Sequence, residues 1–453
     1  MLSTIWLGVT SIIFILNFVQ GQLHPQNPAK YQPLPLLRER AAIQNQWTAD
    51  RISRIPSLLK KYNAQAWLLC QREHAEDTLW WSIKNATDYD AHRRTVLLFH
   101  DNKSSMAGAA NPLKWIDNTG DVWPELLDTL EHLNPERIIL NTDEDISFAG
   151  GLHAGELAVL QRELGDRWMK KTANEPMLAV EFVATKLPEQ LEYYQKMQET
   201  VWAMLEEGFS SKTVEPSITS TEDLGWWFRE QMQVQNVTTW NHPRVSVVTP
   251  KSFPGWEGSE NIIQEGDMLH IDFGITAMQL NTDTQHLAYV LKGSGAEAEI
   301  DAPDGLKEGL RKSNRMQDIV LENMRPGLTG NTVLRRSLHQ MELEEIDGQI
   351  YCHPIGDWGH DAGSVMGFIN LPQYVPVLGD LPILPETYYS IELFAYHFVP
   401  ERNATIRFLQ EENVAWSHKS QHWEFVRGRQ EKFHLIGSHE KRAITFSDQT
   451  TQL

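Results

Sequence analysis

Asp272 and Asp283 stand eleven residues apart, in His270-Ile271-Asp272-Phe273-Gly274 and Asn281-Thr282-Asp283-Thr284-Gln285, and each segment lies in a β-rich run. If the runs close as a hairpin about a turn at Ala277-Met278, the two aspartates face each other directly. Side chains so placed have Cβ atoms roughly 4.5–5.5 Å apart, and like charges there destabilise a sheet. A cation between them removes the conflict. A divalent metal suits best, because hard cations take carboxylate oxygens. The bland alternative is two surface aspartates flanking a turn, and Ala277-Met278 carries neither the Gly nor the Asn that tight hairpins favour.

Three further segments favour the cation. His353-Pro354-Ile355-Gly356-Asp357-Trp358-Gly359-His360-Asp361 sets two histidines seven apart in a loop interrupted by glycine. Ser390-Ile391-Glu392-Leu393 puts a carboxylate inside an apolar strand, where a buried Glu needs a partner or a cation. Phe408-Leu409-Gln410-Glu411-Glu412-Asn413-Val414 places two acids just after another strand.

This order of Asp, Asp, His, Glu and Glu resembles the creatinase/aminopeptidase, or pita-bread, metallopeptidase superfamily, and looks most like its Xaa-Pro aminopeptidase and dipeptidase branch. The resemblance implies an α+β fold in which a creatinase-type α/β domain (37–184) precedes a pita-bread catalytic domain (185–436). It implies two divalent metals, manganese first, with cobalt, zinc or iron as alternatives. Asp272 would chelate one metal, Asp283 and Glu411 would bridge both, and His353 and Glu392 would complete the other. Water between the ions would become a hydroxide able to attack a peptide carbonyl, with Glu392 moving the proton. His360 matches a histidine that meets substrate and the developing oxyanion. Glu411 is preferred as the last ligand because the family's glutamate stands three residues before an apolar strand residue, here Val414. Strict alternation puts Glu412 on the face of Phe408 and Val414, so both stay open.

Charge supports the set: four carboxylates balance two divalent ions, and without metal they could not all stay ionised. Two departures bear on specificity rather than on metal binding. The family's usual histidine ahead of the first aspartate is missing from Ser252-Phe253-Pro254-Gly255-Trp256, leaving His242 as the nearest substrate-binding candidate, and Pro354 stands where Gly is common. His286 and His397 read as pointing away from the metals. The Trp80-Trp81 and Trp226-Trp227 pairs read as packing.

The rest of the chain sets the context. Met1–Gly21 has no charged side chain, and its mostly apolar run Ile5–Val19 is 15 residues long. That is short of the ~20 residues of a spanning helix, so it reads as a cleaved secretory signal (1–21) with no span left after cleavage, an uncleaved anchor being the alternative. Asn85, Asn102, Asn236 and Asn403 head N-glycosylation sequons. Residues 22–36 read as an extended arm and 437–453 as a C-terminal tail. Helical spacing runs over Arg38–Lys61, Trp123–Leu133, Pro188–Ser210, Thr221–Gln233, Gly305–Met324 and Asn331–Leu343. Strand signals lie at Ala66–Cys70, Thr95–His100, Arg137–Asn141, Val245–Val248, Met268–Thr276, Asn281–Leu291, Tyr388–Val399 and Thr405–Leu409. Ser417–Lys441 reads as a solvated, partly helical closing segment. Cys70 and Cys352 read as free thiols. A formal net charge of −20 over 453 residues, with no basic block, argues against a nucleic-acid partner.

The expectation is a secreted, glycosylated dinuclear metallopeptidase that acts near the N-terminus of short peptides, Xaa-Pro bonds included. It would be a homodimer by resemblance. The rival is an inactive or creatinase-like non-peptidase relative that binds a small molecule or peptide.

Overall fold

The structure is a computed structural model. It describes residues 27–103, 106, 108–116, 118–250, 261–293, 295 and 298–437. The signal segment, the start of the arm, the Ser252–Trp256 stretch and the tail after residue 437 lie outside the described residues.

Alternating helices and strands open the chain: α1 (Leu37–Ile52), α2 (Ile55–Lys61), β1 (Ala66–Arg72), α3 (Trp80–Ile83), β2 (Arg94–His100), β3 (Leu113–Ile116), α4 (Val122–Leu133), β4 (Ile138–Ile139), α5 (Ala154–Met169), β5 (Thr172–Ala173) and α6 (Pro176–Ala184). The strands form one sheet in the order β3-β2-β1-β4-β5. Side chains of a strand point alternately to its two faces. Trp67 and Leu69 of β1 therefore join α2 and α6 in one core, while Ala66, Leu68 and Cys70 join α4 and α5 in another. A sheet apolar on both faces needs helices on both, and this region has them. Cys70 and Cys352 are buried and unpaired.

The second region comprises α7 (Pro188–Gly208), α8 (Thr221–Val234), β6 (Arg244–Val247), β7 (Met268–Phe273), β8 (Thr276–Ala277), β9 (Leu280–Asn281), β10 (Thr284–Val290), α9 (Asp304–Asn323), α10 (Gly330–Leu343), β11 (Gly348–Ile350), β12 (His353–Ile355), β13 (Tyr388–Val399), β14 (Ala404–Ser417), β15 (His422–Phe425) and β16 (His434–Ile436). Its main sheet runs β11-β13-β14-β10-β7-β6, with β12 on β13, β15 on β14 and β16 on β10. Helices α7 and α8 pack on Leu269, Ile271 and Phe273 of β7, and α9 and α10 on Ile391, Leu393 and Ala395 of β13. Each such leucine, isoleucine or phenylalanine contributes about 1.5–3 kcal/mol when fully buried. Alternation turns the opposite faces of β7 and β13, with Asp272 and Glu392, away from these helices.

Four expectations need correction. The hairpin turns at Met278-Gln279 rather than Ala277-Met278: Ala277 pairs with Leu280, and Asp272 faces Gln285. Asp283 therefore stands two residues along from the partner of Asp272, diagonal to it, which eases the like-charge contact. Met278 and Gln279 take φ of 54° and 61°. Two left-handed residues suit the twist of a two-residue hairpin. They cost roughly 1–2 kcal/mol each outside glycine. Burial of Met278 and a hydrogen bond from the Gln279 amide to the Trp81 carbonyl offset that cost.

Glu411 and Glu412 lie inside β14, not after it, because the polar run Gln410–Asn413 finds buried partners on both faces of the sheet. The segment after Ser417 forms β15 and β16 rather than a partly helical, solvated stretch. Arg427 and Gln430 are buried in it, with Arg427 bonded to Glu199 of α7 and Gln430 to the backbone of Leu287 in β10. The helical run Arg38–Lys61 is two helices, broken before Pro56.

Candidate metal centre

The sheet register builds the centre. Asp272 on β7 faces Gln285 on β10, Gln285 faces Glu411 on β14, and Glu411 faces Glu392 on β13. These four side chains make one row across four adjacent strands. A second row lies two residues along: Ser390 faces Asn413 and His353 faces Ser390. Asp283 joins it because Asn413 donates to the Asp283 carbonyl at 2.8 Å and accepts from the Asp283 amide at 3.1 Å. The Asn413 side chain thus takes over the bonding of a β10–β14 ladder whose only register pair is Gln285 with Glu411.

Three sets of side chains in and beside these rows offer ligand atoms within 4.8 Å of one another: Asp272, Asp283 and Glu411; His353, Glu392 and Glu411; and Asp283, His353 and His360. Glu411, Asp283 and His353 each belong to two sets. His353 Nε2 lies 3.4 Å from Glu411, and 3.8 Å from both Asp283 and Glu392. Its Nδ1 sits 2.9 Å from the Pro354 carbonyl, which only accepts, so Nδ1 carries the hydrogen. That leaves the Nε2 lone pair turned to the carboxylates, the tautomer a metal ligand needs. His353 Nε2 and Asp283 Oδ1 are buried without a hydrogen-bond partner. Two orphaned acceptors amid acids fit a divalent cation and little else.

Electrostatics agree. Burial, then the Glu411 carboxylate, pushes Asp272 up to about 7. The same two causes raise Asp283 and Glu392 well above the carboxylate range. The acids cannot all ionise without a cation.

Glu412 points the other way. Its carboxylate lies 2.8 Å from His286 Nε2 and accepts the Gln430 amide at 2.9 Å. His286 is buried behind the rows, and His397 also lies outside the cluster. His360 reaches the open cleft with its ring centroid 4.7 Å from that of His353. The adjacent His353, and desolvation second, lowers it to about 4. His242 is exposed on the same cleft, its ring edge-on to Trp226. The cleft, of about 1070 Å³, is lined by Asp272, His353, His360 and Glu392, and by Ile146 and Phe148 from the first region.

The loop between the histidines is pinned from outside the sheet. Lys186 Nζ bonds Asp357 at 3.0 Å and Asp361 at 2.8 Å, and Arg51 bonds Asp357 at 2.7 Å, all buried. Gly359 is required there because a Cβ would meet the Trp240 ring at 2.2 Å. Sequence reasoning passed over Gln285, Asn413, Ser390, His270 and Lys186. Two carried a signal: His270 and Gln285 stand two residues from Asp272 and Asp283, which in a strand means the same face.

No protein-family model and no curated protein sequence matches the chain. Solved structures do. An X-Pro aminopeptidase from Thermotoga maritima superposes with a TM-score of 0.61 at 16% identity, over 84% of this chain and 100% of that one. An Xaa-Pro dipeptidase from Bacillus anthracis gives 0.59 at 16%, over 86% and 99%. A prolidase from Pyrococcus furiosus gives 0.53 at 11%, over 83% and 99%. The chain has the pita-bread fold of these peptidases, with the creatinase-type region before it.

Proposed function

We propose that this chain is a dinuclear metallopeptidase that cleaves short peptides near the N-terminus, Xaa-Pro bonds among them. The observation that carries the reading is the pair of rows, in which Asp283 and Glu411 are each common to two ligand sets and two acceptors lack partners. Asp272, with Asp283 and Glu411, would hold one divalent ion, and His353 and Glu392, with the same two carboxylates, the other. Such ions, when bound, lower the pKa of water and polarise a carbonyl. The residues do the rest. Glu392, on the cleft wall, would take a proton from the attacking water and pass it to the leaving amine. His360 would donate to the oxygen where negative charge develops. His242, on the rim, would meet the substrate.

Manganese is the proposed metal. The exposed Asn85, Asn102, Asn236 and Asn403 would carry glycans on a chain secreted after loss of residues 1–21. No helix among the described residues is long and apolar enough to cross a membrane.

The test is a panel of Xaa-Pro and non-proline dipeptides and tripeptides, run with manganese, cobalt or zinc. Turnover that needs metal supports the reading. Metal uptake without turnover of any peptide would favour a binding protein, and a chain that takes up no metal would end the metallopeptidase reading.

A further inference from the structure

The row Asp272, Gln285, Glu411, Glu392 contains one side chain without charge. Gln285 is 2% exposed and has an acid on each side. Its Nε2 donates to Glu411 Oε2 at 2.8 Å and to Glu392 Oε1. Its Oε1 lies 2.8 Å from Nε2 of His270, also buried. The partners decide which amide atom is which. Nε2 is the amide's donor atom and the two acids present chiefly acceptor oxygens, so the nitrogen faces them and the oxygen faces His270. With the amide so placed, His270 Nε2 carries the hydrogen that Oε1 accepts, and a flipped amide would lose its bonds to both acids. The imidazole bond therefore supports the orientation that serves the acids.

The two principal ligand sets are unlike in this respect. Gln285 bonds both carboxylates of the His353–Glu392–Glu411 set. In the Asp272–Asp283–Glu411 set it bonds the shared Glu411 alone, and Asp283 Oδ1 lacks a partner.

We propose that Gln285, oriented by His270, is a positioning residue that sets the cation affinity of the His353–Glu392–Glu411 position in particular. The proposal rests on the metal-centre reading and adds residues outside the five ligands. Each carboxylate oxygen has two lone pairs, so an oxygen that accepts the amide hydrogen keeps one for a cation. The amide thus fixes both carboxylate planes before the ion arrives. Without it, two neighbouring acids turn apart, and binding must reverse that first.

The test is calorimetric titration of manganese(II) into the full chain stripped of metal by a chelator. The wild type is expected to show two binding events. Gln285→Met has similar length and no donor; it should weaken one event about 10–100-fold and change the other little. Gln285→Asn falls short of the acids and should do the same, which covers a Met variant that fails to fold. His270→Phe should weaken the same event, and the double variant should be no weaker than Gln285→Met, because His270 acts only through the amide. Melting curves of the metal-free variants separate these losses from unfolding. Equal weakening of both events, or additive losses, would overturn the proposal. Two unchanged events would overturn it while leaving the metal centre standing, and a wild type that binds no manganese would overturn both.

Discussion

Glu411 and Glu412 are chain neighbours with opposite surroundings. Glu411 faces His353 and accepts from Ser390 Oγ at 2.5 Å, whereas Glu412 faces His286 and the Gln430 amide. Glu411→Gln should abolish metal uptake, measured as metal content after dialysis. Glu412→Gln should keep the metal and lower stability by about 1–3 kcal/mol in a denaturant titration, since it disturbs a buried hydrogen-bonded pair. Protons matter as well. Asp272, held near 7 by burial and Glu411, keeps its proton in the metal-free fold across weakly acidic pH. A cation must displace that proton, so apparent manganese affinity should rise from pH 6 to pH 8. Calorimetry in buffers of different ionisation enthalpy should show proton release on binding; affinity that falls over this range would contradict the assignment.

The β7–β10 hairpin shows how far pattern alone reaches. Both strands and the convergence of the aspartates were legible, because acids inside apolar, β-rich runs stand out. The register was not. A turn at Met278-Gln279 is held by packing of Met278 and by the Trp81 carbonyl, and tertiary support of that kind leaves no local trace. Gln285 and Asn413 were missed for a related reason, since a neutral polar residue in a strand gains meaning only once its cross-strand neighbours are known. The tail misled because its histidines and basic side chains suggested solvent, yet Arg427 pairs with Glu199 and His434 stacks on His286. The hairpin also turns on Gly274, where a Cβ would fall 1.7 Å from the Thr282 carbonyl oxygen. Gly274→Ala should cost about 3 kcal/mol or more in a denaturant titration, at the upper end of overpacking effects.

Across the whole molecule, the cleft is walled by both regions, and the loop between His353 and His360 is fastened to elements outside the metal rows. Arg51 of α1 and Lys186, which precedes α7, hold Asp357 and Asp361 in a buried, charge-balanced quartet. Removing one cation leaves a carboxylate uncompensated in the interior. Lys186→Met should therefore destabilise the chain by about 3–5 kcal/mol, read from denaturant midpoints. All of this presupposes that the two rows exist to hold ions. Anomalous diffraction at the manganese edge, from crystals of the manganese-loaded chain, tests that most directly. Two peaks are expected, both touching Glu411, one beside Asp272 and the other beside His353. Peaks elsewhere, or none between these strands, would contradict it.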